Sequence, residues 1–403
     1  MGAKKDKQKK RKAGDGEGAA DAAAGDARPA AAAAAAPGAG GVSKKARKSQ
    51  GAEQEQTQEQ QQQQGSAKKR KGKAEPPPAE AARGDNGGAA AAAGARAQGP
   101  GRRYTVTMAV PGSMIDNTQS FEMANFVAGQ VARTAAVFNV DELVIIDDTP
   151  QRKDGTVGAG AAFLARVCQY LETPQYLRKA LIPMHPDLRL AGILPPLDAP
   201  HHLRASEWQP FREGVVLKAE EGSGSFVDVG LDRTALVEGP LLAPNARVTL
   251  RLGPAPRVKF VAGYGESMLL GEVVLPSAPR EEAGLYWGYA TRLAKGVSGL
   301  VRGAPFEGGY DLKLGTSEHG EVVLPGNLEL PRFRHLLIAF GGPDGLEAAL
   351  SRDKRLQKST TADIFDAYLN TCPDQGSRTI RTEEAVLISM AFLQTAVSRF
   401  GER

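Results

Sequence analysis

The sequence predicts an α/β protein built on a parallel sheet, with an all-β module inserted into it and a basic low-complexity tail ahead of both. Three observations carry this expectation. Strand, helix and strand follow one another within about 45 residues of Tyr104, the spacing of a βαβ unit. Short β-like segments then fill residues 206–284, with no convincing helix between them. Residues 1–103 hold one Val, one Met and no Leu, Ile or aromatic residue. The expected boundaries are a tail at 1–103, a first α/β half at 104–205, the β module at 206–284 and a second α/β half at 285–403.

The tail cannot bury enough apolar surface to offset its chain entropy, so it is expected to be disordered. It holds 21 Lys+Arg and 11 Asp+Glu, a net of +10, whereas the remaining 300 residues hold 30 and 35, a net of −5. Its cations cluster at Lys4–Lys12, Lys44–Lys48 and Lys68–Lys73. Such clusters read as a nuclear or nucleolar address with loose RNA affinity, or as a solubilising tail. Specific RNA recognition by the tail is not expected, because it has no aromatic side chain on which to stack bases. Two cysteines, Cys168 and Cys372, make neither a disulfide scaffold nor a four-Cys zinc site. Apolar runs such as Leu336–Phe340 fall far short of a membrane helix. MGAKKDKQKK has no apolar leader core, and Asp6 misses the myristoylation pattern. The expectation is a soluble intracellular protein.

The body then reads in order. TVTMAVP after Tyr104 is a strand, and PGSMIDN is turn chemistry. Phe121, Phe126, Val127, Val131, Ala135 and Phe138 recur at helical spacing across 120–138. ELVIID (142–147) is a strand, and a helical region at 161–181 is interrupted at Pro174. The β module is read as strands at 214–218, 225–229, 234–237, 247–252 and 269–275, with an OB-like barrel as the preferred arrangement. YWGYATRLA, YDLKLGTSE, HLLIAFGG and IFDAYLN are further strands, and Ala385–Gln394 is a closing helix with Thr382 as its N-cap and Glu383 and Glu384 in its first turn.

Ligands of open α/β sheets bind where strands end in loops. Three loops qualify: Gly315–Gly320, Gly341–Gly345 and Asn370–Thr382, each after a β-like run. Glycine there lets backbone groups approach a ligand, although most such loops merely turn the chain. Other motifs fail. There is no P-loop and no G-x-S-x-G elbow, and Gly158-Ala-Gly160 lacks the third glycine, with Phe163 in its place. His201-His202 has no further ligand at metal spacing, so no metal is expected. Gly222-Ser-Gly224 reads as a turn, Cys168 as a core residue and Cys372 as a lining residue of the proposed site.

VPGSMIDNTQS, CQYLETPQYLRKALIP, PHHLR with REGVV, GLYWGY, GYDLKLGTSE, FGGPDGLE and NTCPDQGSRTIRTEEAVLIS together resemble the SPOUT-domain-containing methyltransferase family of eukaryotes and archaea, over about residues 104–395. The resemblance implies a trefoil-knotted SPOUT domain, an inserted OB-like module, a homodimer through the knot domain and S-adenosylmethionine in the knot. It implies cofactor contacts from Thr316, Ser317, Glu318 and His319, from Gly341 and Gly342, and from Asn370, Thr371, Ile380 and Thr382. One position departs: His319 stands where relatives often carry Arg, a weaker and pH-dependent partner for a carboxylate.

The resemblance further implies an RNA base as acceptor, with N3 of a large-subunit ribosomal-RNA uridine preferred. That nitrogen must lose its proton, so a cation that stabilises the uridine anion helps. Arg378 and Arg381 are the candidates, unless they only hold phosphate or a partner subunit. Glu383 is a candidate base, although capping the helix explains it as well. The rival reading is an RNA-binding or scaffolding protein, associated with the spindle, with a retained cofactor pocket. A protein methyltransferase is a third.

Overall fold

The computed structural model describes residues 101–149 and 156–402; the expectation for residues 1–100 lies outside them. The chain opens with β1 (Thr105–Pro111), a single turn α1 (Ser113–Asp116), α2 (Phe121–Val137) and β2 (Glu142–Asp147). Helices α3 (Ala159–Glu172) and α4 (Gln175–Leu181) follow. Next come β3 (Phe211–Glu220), β4 (Gly224–Asp228), β5 (Ala235–Val237), β6 (Arg247–Arg251), β7 (Val258–Val261), β8 (Glu266–Leu270), β9 (Glu272–Val274) and α5 (Ala278–Ala283). The chain continues through β10 (Ala290–Lys295), α6 (Gly296–Arg302), β11 (Leu312–Val322), β12 (His335–Phe340), α7 (Gly345–Arg352), β13 (Ala367–Asn370) and α8 (Thr382–Phe400).

Six strands form a parallel sheet in the order β10-β2-β1-β12-β11-β13. Its central strands are apolar on both faces. Val106, Met108 and Val110 of β1 join Leu143, Ile145, Leu336 and Ile338 in a core under α2, α3 and α8. Ala109, Val144, Ile146, Leu337 and Ala339 point the other way, into a core with α6 and α7. A parallel sheet covered on both sides needs continuous apolar strands, which is why ELVIID and HLLIAF do not alternate. The mixed α/β class and the parallel sheet agree with expectation.

The second sheet is inserted between β2 and β10. β3 pairs antiparallel with β4 and β6, β4 with β5, and β5 runs parallel to β8. β9 pairs antiparallel with β6, and β7 with β8. A single residue, Gly271, separates β8 from β9. A side chain there would press on Leu250 and Leu252 at 3.2 Å.

Several elements differ from the sequence reading. Gly288 takes a φ of 82°, so Tyr286–Tyr289 is a bend and β10 begins at Ala290. β13 begins at Ala367 rather than Ile364, because a 3-10 turn at Thr361–Asp363 precedes it. α1 occupies part of the expected turn after Pro111, and α5 is a short helix at the end of the β module. Phe126 is exposed, while Ala124, Ala128 and Ala132 share the buried side of α2 with Val127 and Val131. The N-cap of α8 is Arg381, whose backbone N–H donates to Glu384 at 2.9 Å, not Thr382.

A buried charge cluster joins α3, which packs on the parallel sheet, to the inserted sheet. Arg247 of β6 donates from Nη1 and Nη2 to the Glu172 carboxylate at 2.7 and 2.9 Å, and from Nε to Glu213 at 2.7 Å. Thr249 and Trp287 both donate to the other Glu213 oxygen at 2.6 Å. The Glu172 carbonyl accepts from Nε2 of His201 and of His202 at 3.0 and 2.7 Å. Both histidines are thus taken up by Glu172. Burial alone would raise the Glu172 carboxyl, but the Arg247 charge and hydrogen bonds from His201 and Arg247 outweigh it and hold the group at about 2. Burial, helped by the His201 charge, pushes His202 down to about 4.

A pH dependence of stability follows from these directions. The unfolded chain takes up a proton at His202 below about 6.5, whereas the folded chain resists it down to about 4, so stability falls as pH drops through that range. Glu172 adds a second loss between about 4.5 and about 2, where the unfolded carboxyl protonates first. Thermal midpoints measured across this range should fall with pH, and His202→Gln should remove the loss above about 4. An unchanged profile in the variant would assign the effect elsewhere.

Candidate functional site

The loops after β1, β12 and β13 and a segment within β11 meet at one cleft of about 1040 Å³. The first wall is the turn after β12. A side chain at Gly341 would put its Cβ 2.6 Å from the Leu346 backbone nitrogen, so only glycine fits there. Gly345 closes the turn with a φ of 81° and a hydrogen bond from its N–H to the Gly342 carbonyl at 2.9 Å. Gly342 is different: a Cβ there would approach Ser113 Oγ at 3.1 Å, tight but on a side chain. Ser113 is itself held by Asp148, which accepts from its N–H at 3.0 Å and its hydroxyl at 2.5 Å.

The second wall is a bulge inside a strand. Thr316 and Glu321 of β11 both register with Leu369 of β13, which leaves Ser317–Gly320 looped out of the ladder. The sequence reading placed this segment after a strand rather than within one. Asn370 ties the bulge down by donating from Nδ2 to the Glu318 carbonyl at 2.9 Å, and Ser317 Oγ accepts from the His319 N–H at 3.2 Å. His319 is exposed at the rim, its Nε2 3.7 Å from Glu318 Oε1.

The third wall is the segment after β13. Asn370 Oδ1 accepts from the Cys372 N–H at 3.0 Å, an Asx turn. Thr371 and Ser389 share a hydroxyl hydrogen bond of 2.7 Å, and Thr382 Oγ1 donates to the Gly341 carbonyl at 3.2 Å. That last contact binds the first and third walls together.

Thr316, Ser317, Glu318, His319, Gly341, Gly342, Asn370, Thr371, Ile380, Arg381, Thr382 and Glu383 all line this cleft, as does Cys372. Arg378 does not: it is exposed outside the lining, where its carbonyl lies 3.4 Å from Gln375 Nε2. Cys168 lies buried in α3 with its Sγ 3.9 Å from the Ala128 carbonyl, and burial pushes its thiol up. Sequence reasoning missed a fourth wall, formed by Met114, Asn117, Thr118, Gln119 and Met123. The signal lay in the pairing of β1 with β12, which brings the loop after Pro111 beside the Gly341 turn.

Chemically, the cleft offers narrow glycine backbone, a rim of hydroxyls, one guanidinium and several carboxylates. Such a set suits a small polar ligand carrying both an amine and a carboxylate. Fold and cleft together give an α/β chain with a polar cleft at the carboxyl edge of a parallel sheet. The chain belongs to the family of putative RNA methyltransferases, whose family model matches residues 105–393.

Relatives agree with this membership. A Homo sapiens protein named 28S rRNA (uridine-N(3))-methyltransferase is 46 % identical over 314 residues, covering 75 % of this chain and 81 % of its own length. The Mus musculus protein of the same name is 47 % identical over 316 residues, with 75 % and 79 % covered. The Drosophila melanogaster protein of that name is 42 % identical over 310 residues, covering 72 % of this chain and 62 % of the relative.

Proposed function

We propose that this RNA methyltransferase uses S-adenosylmethionine to methylate N3 of a uridine in large-subunit ribosomal RNA. The observation that carries the reading is the assembly of the three glycine- and hydroxyl-rich loops in one cleft, within a chain 46 % identical to a uridine-N3 methyltransferase. When bound, the sulfonium supplies an electrophilic methyl group. Gly341 and Gly342 would hold the cofactor on one side, and the bulge Ser317–His319 with Asn370 and Thr371 would hold it on the other. The cleft's set of residues therefore fits the group. Family membership also favours this reading over a scaffold.

The remaining groups serve the acceptor. The uridine N3 proton must leave as the N–C bond forms, and Glu383, one of four carboxylates on the cleft wall, is assigned to take it. Arg381 stabilises the negative charge that spreads onto the base carbonyl oxygens, a role worth about 10²–10³ in rate for one donor. Asn117 and Gln119 carry amides on the fourth wall, suited to donate to the same carbonyls. Arg381→Ala should lower kcat by about 10²-fold with little change in cofactor affinity, read by single-turnover methyl transfer and calorimetry. Equal loss of cofactor affinity would make Arg381 a cofactor ligand instead.

Three finer readings accompany this one. A trefoil knot is supported by the strand order, in which β11 lies between β12 and β13 although it precedes both. An OB-like barrel is supported by ladders that run from β3 through β4, β5, the β8–β9 stretch and β6 back to β3. A homodimer is supported by the exposed apolar residues Met123, Phe126 and Leu387 on the adjoining helices α2 and α8. Sedimentation reads the dimer as twice 42.5 kDa; a single species of 42.5 kDa would refute it. A nuclear location rests on the tail clusters, and deletion of residues 1–100 should redistribute the protein.

A further inference from the structure

We propose that the turn Arg352–Lys358, between α7 and β13, docks the phosphate backbone of the RNA beside the target base; this rests on the RNA methyltransferase reading above. The body of the chain is net acidic, yet this stretch carries Arg352, Lys354, Arg355 and Lys358 against one acid, Asp353. That acid faces inward and is 6 % exposed. Its carboxylate accepts from the Ser298 N–H at 2.8 Å and the Arg355 N–H at 3.0 Å, so it serves the fold rather than the surface charge. Arg352 is paired with Asp344. Lys354, Arg355 and Lys358 are exposed, and among the described residues none has a carboxylate within ion-pair distance.

The turn is also held in place. The Leu356 N–H donates to the Asp353 carbonyl and the Ser359 N–H to the Leu356 carbonyl, both at 2.8 Å. Asp353 packs so closely on α6 that a side chain at Gly296 would meet it at 2.5 Å. Both ends of the segment lead to the cleft. Gly345, at the start of α7, and Asn370, at the end of β13, are lining residues. At ~1.5 Å of rise per residue, the eight residues of α7 set the turn about 12 Å from the rim. A base seated in the cleft brings the phosphates of its neighbours within reach of these cations. A polyanion of regular spacing matches three exposed cations carried on a turn whose backbone is held.

The test uses the full chain and a labelled single-stranded ribosomal RNA fragment, with binding measured across a salt series. Lys354→Ala/Arg355→Ala/Lys358→Ala should weaken binding about tenfold at moderate salt and reduce the log–log salt slope by about 2, since each lost single-strand phosphate contact accounts for about 0.7. Lys354→Arg/Arg355→Lys/Lys358→Arg should keep both values, and S-adenosylmethionine affinity should not move in either variant. Unchanged affinity and slope would overturn the proposal, as would a loss of affinity at constant slope. A wild-type chain that binds no RNA and transfers no methyl group would overturn the underlying reading as well, which separates the two failures.

Discussion

Gly342→Arg should bind S-adenosylmethionine at least about 100-fold more weakly, a loss of about 2.7 kcal/mol, with a cooperative melting transition retained. The position is chosen because the fold has room for the first atom of a side chain. A Cβ would meet Ser113 Oγ at 3.1 Å and Pro111 Cβ at 3.6 Å, contacts that a small shift of the serine relieves. Beyond that atom an arginine must displace Ser113 or Asp148, the side chains its Cβ faces, and so moves the turn that lines the cleft. Gly341 is a poorer test, because any side chain there collides with backbone and breaks the turn itself. Gly342→Ala is the control and should retain most of the affinity. Calorimetry with the free cofactor reads the first result and a melting curve the second; retained binding in Gly342→Arg would remove this turn from the cofactor site.

Glu172→Ala should destabilise the protein by on the order of 3 kcal/mol, the low end for breaking a buried ion pair, because Arg247 loses one of its two carboxylate partners. Arg247 would lose both hydrogen bonds to Glu172 and keep its bond to Glu213. His201 and His202 would keep the Glu172 carbonyl, so the local backbone is not the cause. In a body of this size the change lowers the midpoint by roughly 10 °C. The cluster also joins the inserted sheet to α3, so methylation of RNA should fall further than cofactor binding does. A midpoint within experimental error of the wild type would show that the pair contributes nothing to holding the inserted sheet to α3.

The parts of the fold legible in the sequence are those whose pattern is set by burial alone. β2 and β12 are runs of apolar residues because both faces of the sheet are covered, and no other arrangement explains them as well. α6 and α7 were invisible for the opposite reason. GVSGLVR holds two glycines and a β-branched pair, and GLEAALSR is eight residues long behind Gly-Gly-Pro. Packing fixes them, with Asp353 clasping the start of α6. β7 was missed because its residues are largely exposed and it is held by its ladder to β8.

The candidate site was legible where local rules apply. Glycines at strand ends mark a sheet-edge cleft, and the Gly341–Gly345 turn after β12 is of that kind. The bulge at Ser317–Gly320 was not, since a register shift belongs to a pair of strands and leaves no mark on one. Asn117, Gln119 and Met123 were missed because more than 200 residues separate them from the Gly341 turn. Arg378 read as the equal of Arg381 because both lie in one loop, and which of them faces the cleft is decided by how that loop folds back onto Gly341.

The central claim is tested most directly by transfer of labelled methyl from S-adenosylmethionine, using the full chain and ribosomal RNA from cells that lack the protein. The account predicts label in large-subunit RNA, mapping by nuclease digestion to N3 of a uridine, and none with Gly342→Arg. No label on unmodified RNA, with the cofactor bound, would contradict it.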